Sequence, residues 1–139
     1  VRLLGLDVGE KTVGVAVSDE LGLTAQGVTV IRRSSKEADL KALRELAAFY
    51  GAEGLVLGLP RNMNGSLGPK AREVERFGEW VGEALGLPVE YVDERLTTVA
   101  AQRTLLEGDT PRAKRRRVVD QVAAVLILQG YLDRQRNRG

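Results

Sequence analysis

A chain of 139 residues, 43% hydrophobic and 29% charged, has the length of one domain and the composition of a folded protein. It holds neither cysteine nor histidine, which excludes disulfides, thiolate metal sites, imidazole bases and every Ser-His-Asp or Cys-His mechanism. The net charge of +2 conceals an asymmetry: residues 1–111 carry 13 basic and 17 acidic side chains, residues 112–139 carry 8 and 2.

The pattern opens with "VRLLGLDVG", a short apolar run broken by Asp7 and Gly9, which predicts a buried strand. "KTVGVAVSD" alternates Val13, Val15 and Val17 against small residues, a period of two on β-branched side chains. The short link at Glu10 and Lys11 makes the pair an antiparallel hairpin, which "GVTVIRR" at 27–33 extends. Ser34 or Ser35 then caps a helix carrying Leu40, Leu43, Leu46, Ala47 and Tyr50, closed by Gly51.

"GLVLGLP" at 54–60 reads as a fully buried strand, followed by the loop "RNMNGSLGP". Pro69 opens a helix to about Leu85, with Val74, Phe77, Val81 and Leu85 inward. A strand at 87–93 follows, then a helix capped by Thr97 or Thr98 and running through Glu107, the polar break "GDTPRAK", and a last helix from about Arg115 to Arg134. The order predicts one α/β domain over 1–139: a mixed five-stranded sheet, its first three strands antiparallel, with helices on both faces. No apolar run approaches the ~20 residues of a membrane span and no secretory segment is evident, so a cytoplasmic protein is expected.

Carboxylates fall where stability alone does not place them. Asp7 interrupts the first strand near its C-terminal end, where sheets of this kind bind ligands, although Asp-x-Gly also serves as a strand-end turn. Asp93 and Glu94 directly follow the strand "PVEYV"; side chains alternate, so at most one of them shares a face with Asp7, and the residues alone leave open which. Asp120 is the only charge between Val118 and Leu132; it faces a ligand or pairs with Arg116 or Arg117 at the helix start. Converging carboxylates repel unless a cation neutralises them, and an all-oxygen donor set selects Mg²⁺ or Mn²⁺ over zinc. Such ions support phosphodiester hydrolysis without histidine.

"GLDVGEKTVGVAVSDELGLTAQ", "GLPRNMNGSLGPKA", "VDERLTT" and "DQVAAVLILQGYLD" resemble, in order and over nearly the whole chain, the blocks of the YqgF/RuvX family. That family comprises small relatives of the RuvC Holliday-junction resolvases. The resemblance implies an RNase H-like fold and a nuclease that matures the 5′ end of pre-16S rRNA, with resolvase-like cleavage of branched DNA as a second activity. It assigns the catalytic and metal-holding roles to Asp7, Glu94 and Asp120, with Asp93 in reserve. Where the first block often reads Thr-Lys-Arg, this chain has Glu10, Lys11 and Thr12.

Expected nucleic-acid contacts are Lys11, the loop residues Asn62, Asn64 and Ser66, Arg95, and the run Arg112, Lys114, Arg115, Arg116 and Arg117. The six aromatics lie mostly at core spacing, which favours recognition of shape and backbone over stacked bases. Structured RNA, branched DNA and a ribosomal precursor particle are the expected partners, for a monomer or a homodimer. Two other readings compete. The Asp-x-Gly hairpin with Gly14 also resembles the phosphate loop of the actin and sugar-kinase superfamily, which usually needs two such domains. A non-catalytic RNA-binding assembly factor would use the basic C-terminal third alone.

Overall fold

The computed structural model describes residues 1–96 and 112–138, with side chains left aside at Leu96, 112–118 and 138. The opening hairpin forms as β1 (Arg2–Val8) and β2 (Thr12–Ser18), and β3 (Ala25–Arg32) completes the antiparallel half. Helix α1 (Lys36–Tyr50) starts at Ser35 rather than Ser34: the Ser35 hydroxyl accepts the Ala38 N–H, and Gly51 ends the helix at φ 63°. Strand β4 (Ala52–Leu59) then enters the sheet parallel to β1. Helix α2 (Pro69–Leu85) begins on its proline and stops at Gly86, and β5 (Val89–Asp93) pairs parallel with β4. A single 3₁₀ turn, Glu94–Leu96, closes the segment.

The final helix, α3, spans Arg112–Arg138. It starts three residues before, and ends four residues after, the span its apolar pattern predicts. Arg136 and Asp133 pair along its last turns, where cations suit the helix dipole. The expected helix from Thr97 or Thr98 to Glu107 lies outside the described residues.

The sheet order is β3-β2-β1-β4-β5. Its two faces differ in side-chain size. One carries Leu4, Leu6, Val13, Val15, Leu55 and Leu57 and is covered by α1 and α2 through Leu43, Val74, Phe77 and Val81. The other carries Ala16, Val56 and Val92 and receives α3 through Ala123, Ala124, Ile127 and Leu128. Glycines let α3 settle onto this second face. A Cβ at Gly5 would stand 2.7 Å from Cβ of Leu128, and one at Gly27 2.4 Å from the Gln121 amide. At Gly14 it would stand 2.1 Å from the backbone oxygen of Asp120. The absent side chains therefore set how near α3, and Asp120 with it, comes to β2. Among the described residues, no helix is long and apolar enough to cross a membrane.

Candidate active site

Sheet register decides which acids can meet. Asp7, only 6% exposed near the end of β1, lies opposite Gly14 in the antiparallel pair. Cross-strand partners project to the same side, and the side that Gly14 presents is the one covered by Asp120. Across the sheet, Gly58 pairs with Val92, and a Cβ on Gly58 would meet Ile127 of α3 and stand 2.9 Å from Glu94 Oε1. Glu94 therefore reaches the α3 side. Asp93 pairs with Leu59, whose side chain belongs to the opposite core, so strand alternation turns Asp93 away from Asp7.

Asp93 is held where it points. The Arg95 guanidinium donates to it at 2.7 Å from Nη2, the Arg95 N–H donates at 3.0 Å, and Arg61 Nε stands 3.7 Å away. These donors, the Arg95 side chain first, hold the carboxyl below the ordinary aspartate range. Because its folded pKa is depressed, the pair stabilises the fold above the unfolded value of about 3.9. That stabilisation is lost as pH falls through the lower folded value. Carbon-13 NMR of the Asp93 carboxyl is expected to give a midpoint below ~3.9, moving up in Arg95→Ala; a midpoint unchanged by that substitution would contradict the ion pair.

Asp120 has a different partner. The Thr12 hydroxyl at the start of β2 donates to Asp120 Oδ2, joining residues 108 apart in sequence. This contact had no signal in the spacing of the acids. Thr12 stands two positions before Gly14 on an alternating strand, so it shares the face that α3 covers.

The β4–α2 loop ties itself together. Asn64 Oδ1 accepts from both the N–H and the hydroxyl of Ser66, at 3.0 and 2.6 Å, and the Asn62 amide donates to the Ser66 hydroxyl at 3.1 Å. Arg61 donates to Gly65 O at 2.9 Å and Arg95 to Met63 O at 3.3 Å. Gly65, at φ 87°, takes a turn conformation that other residues rarely adopt. Asn62, Asn64 and Ser66 thus build the turn and remain exposed, while Arg95 fastens that loop to the end of β5. Arg61 was not singled out from the sequence, since an arginine opening an Asn/Gly loop carries no periodic signal. Lys11 is exposed in the β1–β2 turn. The run Arg112–Arg117 is helical in backbone, and its side chains lie outside the described residues.

The donor set suits a hard divalent cation in kind: carboxylate oxygens from Asp7, Glu94 and Asp120, and no nitrogen or sulfur ligand. Gly14 and Gly58 let the Asp120 backbone and Glu94 Oε1 come close to that side of the sheet, where a Cβ would collide. Among the described residues, however, no three acidic side chains already stand grouped as a metal cage. The fit is one of donor chemistry and shared face.

A five-stranded sheet with an antiparallel opening and parallel β1-β4-β5 is the RNase H-like fold, the fold of the RuvC-like resolvases. The RuvC of T. thermophilus bound to a Holliday junction superposes with a TM-score of 0.59 at 14% identity, covering 99% of this chain and 96% of that one. The RuvX family profile, described as Holliday junction resolvase, matches residues 1–134. A Moorella thermoacetica protein named "Putative pre-16S rRNA nuclease" is 62% identical over 139 residues, covering 100% of this chain and 99% of its own length. A Heliobacterium modesticaldum protein of the same name is 62% identical over 133 residues, covering 96% and 89%. The chain belongs to the RuvX family, and it is a nuclease.

Proposed function

We propose that this nuclease hydrolyses phosphodiester bonds of structured RNA, processing the 5′ end of pre-16S rRNA, with Asp7, Glu94 and Asp120 as its catalytic carboxylates. The observation carrying this reading is that acids from β1, from the turn after β5 and from α3 all approach one side of the sheet. The names of the 62%-identical relatives supply the substrate.

Asp7, Glu94 and Asp120 would hold Mg²⁺ or Mn²⁺, which supplies a more acidic water and neutralises charge on the phosphate. Asp7, buried on a central strand, gives the most rigid of the three ligands. Thr12 fixes which oxygen of Asp120 is turned toward the sheet and which remains for other partners. Asp93 keeps Arg95 on the loop, where Asn62, Asn64 and Ser66 would serve as positioning contacts for the phosphate backbone, with Lys11 of the β1–β2 turn as a further one. The helical run from Arg112 to Arg117 adds sequence-independent affinity for a polyanion.

Cleavage of end-labelled precursor 16S rRNA and of a four-way DNA junction, each with Mn²⁺, tests the proposal. The RNA is expected to be cut by the natural chain and by Asp93→Asn, and to survive Glu94→Gln. Full activity in Glu94→Gln with loss in Asp93→Asn would exchange the two acids. Cutting of the junction alone would favour the second reading, a DNA resolvase, which the family description supports.

A further inference from the structure

On the side of the sheet opposite Asp7, Glu94 and Asp120, a cavity of about 310 Å³ opens where the end of β1 meets the first turns of α1 and α2. Its size falls at the low end of small-molecule sites. One wall is built and braced. Arg33 donates to Gly9 O at 2.7 Å, stands 3.8 Å from the buried Asp39 carboxylate and lies 5.1 Å over the Phe77 ring. Phe77 meets Trp80 edge to face at 5.7 Å. Trp80 is half-buried and lines the cavity.

The remaining cations around it are Lys36, Lys70 and Arg76, all exposed and none ion-paired with a described residue; the Lys36 ammonium lies 5.9 Å over the Trp80 ring. Lys70 also lies in the first turn of α2, whose Gly68 cap offers no side-chain acceptor, so the positive end of that helix adds to the field. An inorganic anion would use the cations but not the apolar lining from Val8, Val74 and Trp80. An apolar ligand would leave the cations idle. Glu10 and Glu73 complete the lining; they oppose a long polyphosphate and can accept hydrogen bonds from amino or hydroxyl groups.

We propose that this cavity binds one nucleoside monophosphate unit, its planar base taking the place of the Lys36 ammonium over Trp80 and its phosphate among Lys36, Lys70 and Arg76. The unit is either a free nucleotide or a residue of an RNA strand passing over the Gly9–Glu10 turn, and the cavity does not depend on the catalytic acids.

Trp80 is the only tryptophan of the chain, so its fluorescence reports on the cavity directly. The full chain is titrated, without divalent ions, with AMP, with adenosine and with a short single-stranded oligoribonucleotide. A saturable change in emission is expected with AMP or the oligonucleotide. It should weaken about tenfold or more in the exposed double variant Lys70→Glu, Arg76→Glu, and with adenosine in place of AMP. Response to AMP assigns a free-nucleotide site; response to the oligonucleotide alone assigns a strand subsite. Glu94→Gln should bind as the natural chain does, which separates this site from the catalytic reading. No saturable change with either phosphate-bearing probe, or equal affinity in the charge-reversed variant, would overturn the proposal.

Discussion

Asp7→Asn is expected to lower RNA cleavage by about a thousandfold or more while leaving the circular dichroism spectrum unchanged. The substitution keeps the size of the side chain and removes its charge, and ligand charge is what a hard cation requires. Loss of Lewis-acid stabilisation of several kcal/mol corresponds to about three orders of magnitude in rate. The position makes the effect specific. Asp7 is buried at the end of a central strand and faces the glycine that seats α3, so a shift of neighbouring acids cannot easily replace it. Single-turnover cleavage measured beside the natural chain checks this; a loss of less than about tenfold would remove Asp7 from the chemistry.

Gly14→Ala is expected to damage both stability and rate. The added Cβ would fall 2.1 Å from a backbone oxygen of Asp120, and a helix backbone cannot turn aside as a side chain does. Overpacking of this kind costs about 1–3 kcal/mol, read as a fall of several degrees in melting temperature. Relief requires α3 to lift, which carries Asp120 from Thr12, and a misplacement of about 1 Å can cost a hundredfold in rate. Gly54→Ala is the matched control. Its Cβ would meet the flexible end of Leu3 at 2.9 Å, so a smaller loss of stability is expected. Equal melting temperatures for the two variants would contradict the close-packing account.

Much of the fold was legible in local patterns. Alternation on β-branched residues gave the opening hairpin, and the apolar run at 54–60 gave the buried central strand, realised as Ala52–Leu59. Pro69 marked the start of α2 because that proline fits a first helical turn and no interior one. The residues by themselves left Asp93 and Glu94 open, and only the family resemblance favoured Glu94. Alternation says that at most one of them shares a face with Asp7, but which one depends on the pairing of Val92 with Gly58, a relation between distant strands. Thr12 was hidden for the same reason, since its partner lies on α3, 108 residues away. Ser34 and Ser35 offer the same capping chemistry, and only the folded backbone, which brings the Ser35 hydroxyl to the Ala38 N–H, separates them. Trp80 shows the limit of periodicity: it is not among the inward positions Val74, Phe77, Val81 and Leu85, yet it is half-buried at the mouth of a cavity.

The division of labour between neighbouring acids also follows from register. Asp93 and Glu94 are adjacent, yet one is engaged by Arg95 and Arg61 and the other approaches Gly58 beneath α3. A guanidinium-bound carboxylate holds a loop well and is a poor ligand for a second cation. The same strand end therefore supplies a structural clamp and a catalytic candidate without the two competing.

Manganese binding followed by electron paramagnetic resonance tests the central claim most directly, because it needs neither substrate nor turnover. Saturable Mn²⁺ uptake is expected for the natural chain and for Asp93→Asn, with marked weakening in Asp7→Asn, in Glu94→Gln and in Asp120→Asn. Uptake that is undiminished in all three of these variants, or absent from the natural chain, would contradict a shared metal site on the α3 side of the sheet.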